Sequence, residues 1–137
     1  MRYDLGAVYR RCQESGLSAK CSANRVEVDL GQGAVLHFED AEREEDCLIG
    51  FLDTPRHVHN SLIFADASGN YTELDYLELP DALTAGTILV CELWADGKAV
   101  DRYLVHNKYN DEYRYLQQGE QVIVRRAMTG LQEKCET

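Results

Sequence analysis

Thr87-Ile88-Leu89-Val90-Cys91-Glu92-Leu93-Trp94-Ala95-Asp96-Gly97-Lys98-Ala99-Val100-Asp101-Arg102-Tyr103-Leu104-Val105 is the stretch whose reading decides the fold class. Two runs with strand-forming residues, Thr87 to Trp94 and Ala99 to Val105, flank Asp96-Gly97. A two-residue type I′ connection needs positive φ at both central positions, which Asp and Gly tolerate, so the stretch predicts an antiparallel hairpin. Toward the N-terminus, Pro80 interrupts the ladder, and before it Ser61 to Ala65 and Tyr71 to Leu77 form a second hairpin around Asp66-Ala67-Ser68-Gly69-Asn70. Toward the C-terminus, Glu112 to Leu116 and Gln121 to Arg126 pair around Gln117-Gln118-Gly119, and residues 128–137, which lack a clear period, are expected to fray.

Farther upstream, Val26, Val28 and Leu30 alternate on one face of Arg25 to Leu30, and Gly31-Gln32-Gly33 turns that run into Ala34 to Phe38. A charge run, Glu39 to Asp46, reads as an exposed loop before a strand over Cys47 to Leu52. Only the beginning of the chain has helical spacing: Leu5, Val8, Tyr9 and Cys12 recur at i, i+3, i+4 and i+7, with Asp4 placed to cap the helix and Gly16 to end it. About eight short strands after one N-terminal helix predict a mainly β (α+β) domain: a curved antiparallel sheet, small barrel or sandwich spanning residues 1–137 as one unit.

The chain's 137 residues, 45% of them hydrophobic, suffice to close one core without metals or disulfides. No run of about 18 apolar residues and no apolar N-terminal stretch occurs, so a cytoplasmic location is expected, away from the membrane. Cys12, Cys21, Cys47, Cys91 and Cys135 are odd in number and form no C-x-x-C pair, which argues against a disulfide framework and a zinc knuckle. The formal charge of −10 is unevenly spread: residues 1–96 hold 18 acidic and 7 basic side chains, residues 97–137 hold 6 and 7. Such a field repels phosphate backbones and favours basic partners, which excludes direct nucleic-acid binding; it is equally compatible with acidity that serves solubility alone.

The sharpest local pattern is Asp53-Thr54-Pro55-Arg56-His57-Val58-His59, because histidines two apart on an extended chain face the same way and could share a metal, with a third ligand from His37, His106, Asp53 or Asp66, among which the spacing does not select. His-x-His at a barrel mouth resembles the cupin family, as does His106 followed by Asn110. The sequence departs from that pattern where Ile63 and Phe64 stand in place of the expected Glu and where no Pro-x-Gly precedes His106. The alternative is that these histidines pack at a turn. Four of the eight tyrosines lie between Tyr103 and Tyr115, a density typical of a recognition surface and also of half-buried strand residues. There is no Gly-x-Ser-x-Gly elbow, phosphate-cradling glycine loop or His-Glu-x-x-His, so the sequence carries no strong enzymatic signature and calls for no cofactor.

Phe51-Leu52-Asp53-Thr54-Pro55-Arg56-His57-Val58-His59 and Asn107-Lys108-Tyr109-Asn110-Asp111-Glu112-Tyr113-Arg114-Tyr115-Leu116, in a short acidic chain, resemble the small immunity proteins of bacterial toxin systems, including contact-dependent inhibition. The resemblance is one of type and carries no functional residue across. It implies a cytoplasmic protein that neutralises a cognate toxin, plausibly a nuclease, by protein–protein interaction. Carboxylates can occupy a basic, phosphate-holding site, which points to Glu42, Glu44, Glu45, Asp46, Glu73, Asp75, Glu78 and Asp81 as the contact surface and to Tyr71 and Tyr76 as its anchors. The competing expectation is a small-ligand or metal-binding β-barrel with His57, His59 and His106 at its mouth.

Overall fold

The computed structural model describes residues 3–43, 46–59, 62–66, 68–108 and 116–129. Helix α1, Leu5–Glu14, begins where the Asp4 carboxylate accepts a hydrogen bond from the Ala7 amide at 3.1 Å and ends where Gly16 takes φ +84°. Its buried stripe is Val8 and Cys12, as the i, i+4 spacing requires. It packs on the first strands of a five-stranded antiparallel meander, β1 Ser18–Cys21, β2 Arg25–Asp29, β3 Val35–Glu39, β4 Leu48–Phe51 and β5 His57–Val58. One face of that sheet, built from Val26, Val28, Leu36, Phe38, Ile49 and Phe51, is the main wall of the core.

The two other sheets are β6 Leu62–Ala65 with β7 Tyr71–Leu74, and β10 Glu120–Arg125 with β8 Ile88–Ala95 and β9 Lys98–His106, in the order β10-β8-β9. All pairings are antiparallel, and the domain is mainly β with α+β character. Each sheet is open, so the described residues form no closed barrel. The β8–β9 turn has the expected chemistry, with Asp96 at φ +53° and Gly97 at φ +79°. Met128, placed in the tail expected to fray, donates its amide to Leu30 O at 3.1 Å; residues 130–137 of that tail lie outside the described residues.

Three elements differ from the sequence expectations. β1 has no buried residue, so it offers no apolar alternation to read and is held by its main-chain register with β2. Pro80 starts a second helix rather than simply ending a strand. Asp75 and Glu78 form a capping box over the 3-10 turn Tyr76–Glu78, and α2, Leu79–Ala85, follows with Pro80 in its first turn and Gly86 at φ +80° beyond its end. Its Leu79 and Leu83 join the core. Finally, β10 pairs along its whole length with β8, while the strand expected over Glu112 to Leu116 falls, but for Leu116, outside the described residues.

Candidate functional site

The predicted histidine cluster has a definite geometry. The His57 and His59 rings meet edge to face with centroids 4.9 Å apart. His57 Nδ1 bonds Pro55 O at 2.9 Å and His59 Nδ1 bonds Cys47 O at 3.0 Å; a carbonyl only accepts, so Nδ1 is assigned the proton in both and Nε2 is left as the acceptor. His106 is buried, its Nδ1 accepts from the Lys108 amide at 3.1 Å, and its ring lies 6.1 Å from Phe64. Burial, and then the Lys108 charge, push its pKa down. Among the described residues no group of three or more His, Cys, Asp and Glu side chains could hold a metal ion.

The predicted contact residues fall into separate sets. Glu42, Asp46, Tyr71, Glu73, Asp75, Glu78 and Asp81 are exposed, whereas Glu44 and Glu45 lie outside the described residues. Several exposed carboxylates already serve the fold: Asp75 and Glu78 cap the 3-10 turn, and Asp81 pairs with Arg11 at 3.8 Å and accepts from the Ser15 hydroxyl. Asp46 pairs with Arg43 at 3.9 Å. Tyr76 requires a correction: it is 9% exposed, with its ring 4.8 Å from Tyr3 and its hydroxyl accepting from the Asp4 amide, so it anchors α1 rather than a partner. Tyr71 is 66% exposed and can serve as an anchor.

Two features had not been singled out in the sequence. The first is a buried ion cluster. Glu92, fully buried, accepts from Arg102 Nε at 2.8 Å, from Arg125 Nη2 at 3.4 Å and from Trp94 Nε1 at 3.3 Å. Arg102 continues to Asp53 and Gly33 O, and Arg125 donates to Leu30 O at 2.9 Å and Gly31 O at 2.7 Å. The cluster thus ties the three-stranded sheet to the β2–β3 turn, and its members satisfy one another, which makes it a structural strut.

The second is a cleft of about 430 Å³ between β4, β5, β6 and β9. Its lining is mixed: Leu36, Ile49, Phe51, Leu62, Phe64 and Leu104 supply apolar side chains, and Arg56, His57 and Tyr103 together with strand backbone supply the polar groups. The Arg56 guanidinium sits 4.3 Å above the Tyr103 ring and pairs with Asp101 at 2.8 Å. Sequence alternation identifies which face of a strand is apolar, but this cleft forms where β4, β5 and β6 meet the distant β9 from another sheet, and alternation carries no signal for that.

The class these observations define is an open, mainly β domain with a cleft of mixed lining between its sheets and an acidic composition. Comparison with protein-family models, curated proteins and solved structures gave no match. No helix among the described residues is long and apolar enough to cross a membrane.

Proposed function

We propose that this chain is a protein-binding domain that neutralises a basic protein partner, a bacterial toxin and plausibly a nuclease, from the cytoplasmic side. The observation that carries the reading is the outer face of the β6–β7 hairpin. Strand alternation places Ile63, Ala65, Tyr71 and Glu73 together on that face, and all four are exposed. Ile63 at 55% and Tyr71 at 66% are the most exposed large hydrophobic side chains described, and Glu73 stands directly across from Ile63. An exposed aromatic and aliphatic pair beside a carboxylate suits a partner with basic and apolar surface, since desolvated aromatic anchors carry much of an interface's energy and charge steers the encounter. Glu42 adds a further exposed carboxylate to the field of a chain with formal charge −10.

Gentle purification at low salt, followed by mass spectrometry and an activity assay of whatever is recovered, tests this. The expected result is one basic protein at one-to-one stoichiometry that is inactive in the complex, with association slowing as salt rises. A partner that is acidic, or that stays fully active when bound, overturns it. A second reading, a small-ligand protein, is favoured by the cleft alone, whose volume lies in the usual range of roughly 300–1,000 Å³ for ligand pockets.

A further inference from the structure

The cleft is bordered by four strands, through Ile49 to Phe51 of β4, His57 and Val58 of β5, Leu62 to Ala65 of β6 and Tyr103 to Val105 of β9. Of these, β5, β6 and β9 are edge strands of three different sheets, and all three border the cleft.

The register of β6 shows which of its backbone groups face this space. Asp66 N donates to Asn70 O at 2.9 Å, which makes 66↔70 a hydrogen-bonded pair. Alternation along the ladder makes Phe64↔Thr72 and Leu62↔Leu74 the other hydrogen-bonded pairs. Ile63 and Ala65 therefore turn their N–H and C=O away from β7, toward the edge that no other described strand pairs. An edge of this kind is a template for an added strand. Charge selects the strand's composition: Glu73, exposed and outside any cap, stands across from Ile63 on the outer face.

Resting on the protein-binding reading above, we propose that the partner adds an extended segment as a new strand on this edge of β6, with apolar side chains in the cleft alternating with basic side chains on the outer face. Its backbone bonds the N–H and C=O of Ile63 and Ala65. Its inward side chains pack beside Leu62 and Phe64, and its outward ones meet Glu73.

The test uses the full chain and a ten-residue peptide of alternating valine and lysine. The controls are a peptide of the same composition arranged as one valine block and one lysine block, and an alternating valine and glutamate peptide. The alternating lysine peptide is expected to bind at least about tenfold more tightly than either control and to slow amide exchange at Ile63 and Ala65 by at least about tenfold. Ala65→Pro removes an outward N–H without touching the β6–β7 ladder, and should weaken binding by about tenfold or more. Equal affinity for the block peptide, binding that leaves Ile63 and Ala65 unprotected, or no binding each overturns the edge proposal. The peptide bears on the edge alone, since a partner docking through Glu42, Tyr71 and Glu73 would still be neutralised. A partner that is not basic, or not neutralised, defeats the earlier reading whatever the peptide does.

Discussion

The cluster around Glu92 and the outer face of the β6–β7 hairpin use carboxylates under opposite conditions. Glu92 is fully buried and surrounded by Arg102, Arg125 and Trp94 donors, so its charge is neutralised inside the fold. Glu73 is exposed beside Ile63 and Tyr71, where its charge is open to a partner. The difference teaches how to sort the acidity of this chain. Carboxylates at caps and in the core stabilise the fold, and only those outside such roles can recognise another molecule.

The largest loss of stability is expected from Arg102→Met. It leaves Glu92 buried with its nearest cation removed, and breaking a buried pair costs about 3–5 kcal/mol. Urea unfolding should show that loss, and a change below about 1 kcal/mol would mean that the cluster is not the strut described.

Acid titration separates buried from exposed groups next. Burial pushes the Glu92 carboxyl up, but hydrogen bonds from Arg102 and Arg125 outweigh it and hold the group below its ordinary 4.5. The unfolded chain then takes up the proton first, so this stabilisation is complete above about pH 4.5 and is lost as pH falls through the lower folded value. His37 acts in a higher window. Burial and then Arg25 lower its pKa from 6.5, so its contribution is complete above that value and declines as pH falls below it. Unfolding followed from pH 8 to pH 3 should show both losses, with His37→Gln removing the upper one and Glu92→Gln the lower one.

Arg56 stands between the two regimes, half-exposed at the cleft mouth on Asp101 and Tyr103. Arg56→Ala should cost only about 0.5–1 kcal/mol in thermal or urea unfolding, the scale of a screened surface pair with a ring contact. The smallest effect on stability belongs to Glu73→Lys, within about 0.5 kcal/mol of the parent. The same variant should slow association with a basic partner, and an unchanged on-rate in stopped flow would remove Glu73 from the contact surface.

Much of this architecture could be read locally. Asp4 and the i, i+4 stripe locate α1, the Val26, Val28, Leu36 and Phe38 alternation locates the central hairpin, and Asp96-Gly97 locates the β8–β9 turn, because each signal lies within a few residues of what it determines. β1 and α2 escaped because one buries nothing and the other is a seven-residue helix opened by a proline that also reads as a strand breaker. Of the expected contact residues, composition identified exposed carboxylates but could not separate Glu73 from Asp75, Glu78 and Asp81, whose cap and helix contacts exist only in the folded chain.

The β8–β9 hairpin marks the boundary between the two kinds of information. By itself the sequence determined the turn, since few residues other than Asp and Gly sit comfortably at positive φ in succession. A regular ladder from Ala95↔Lys98 and Trp94↔Ala99 would set Glu92 opposite Asp101, two like charges. A register shift between Leu93 and Trp94 instead places Glu92 opposite Arg102. Only the tertiary structure decided that, because the extra residue in the ladder becomes favourable when Arg102 can reach Glu92, Asp53 and the Gly33 carbonyl in a buried site. The cleft has the same origin: each strand follows from its own residues, whereas the meeting of three sheets around it depends on how the sheets pack.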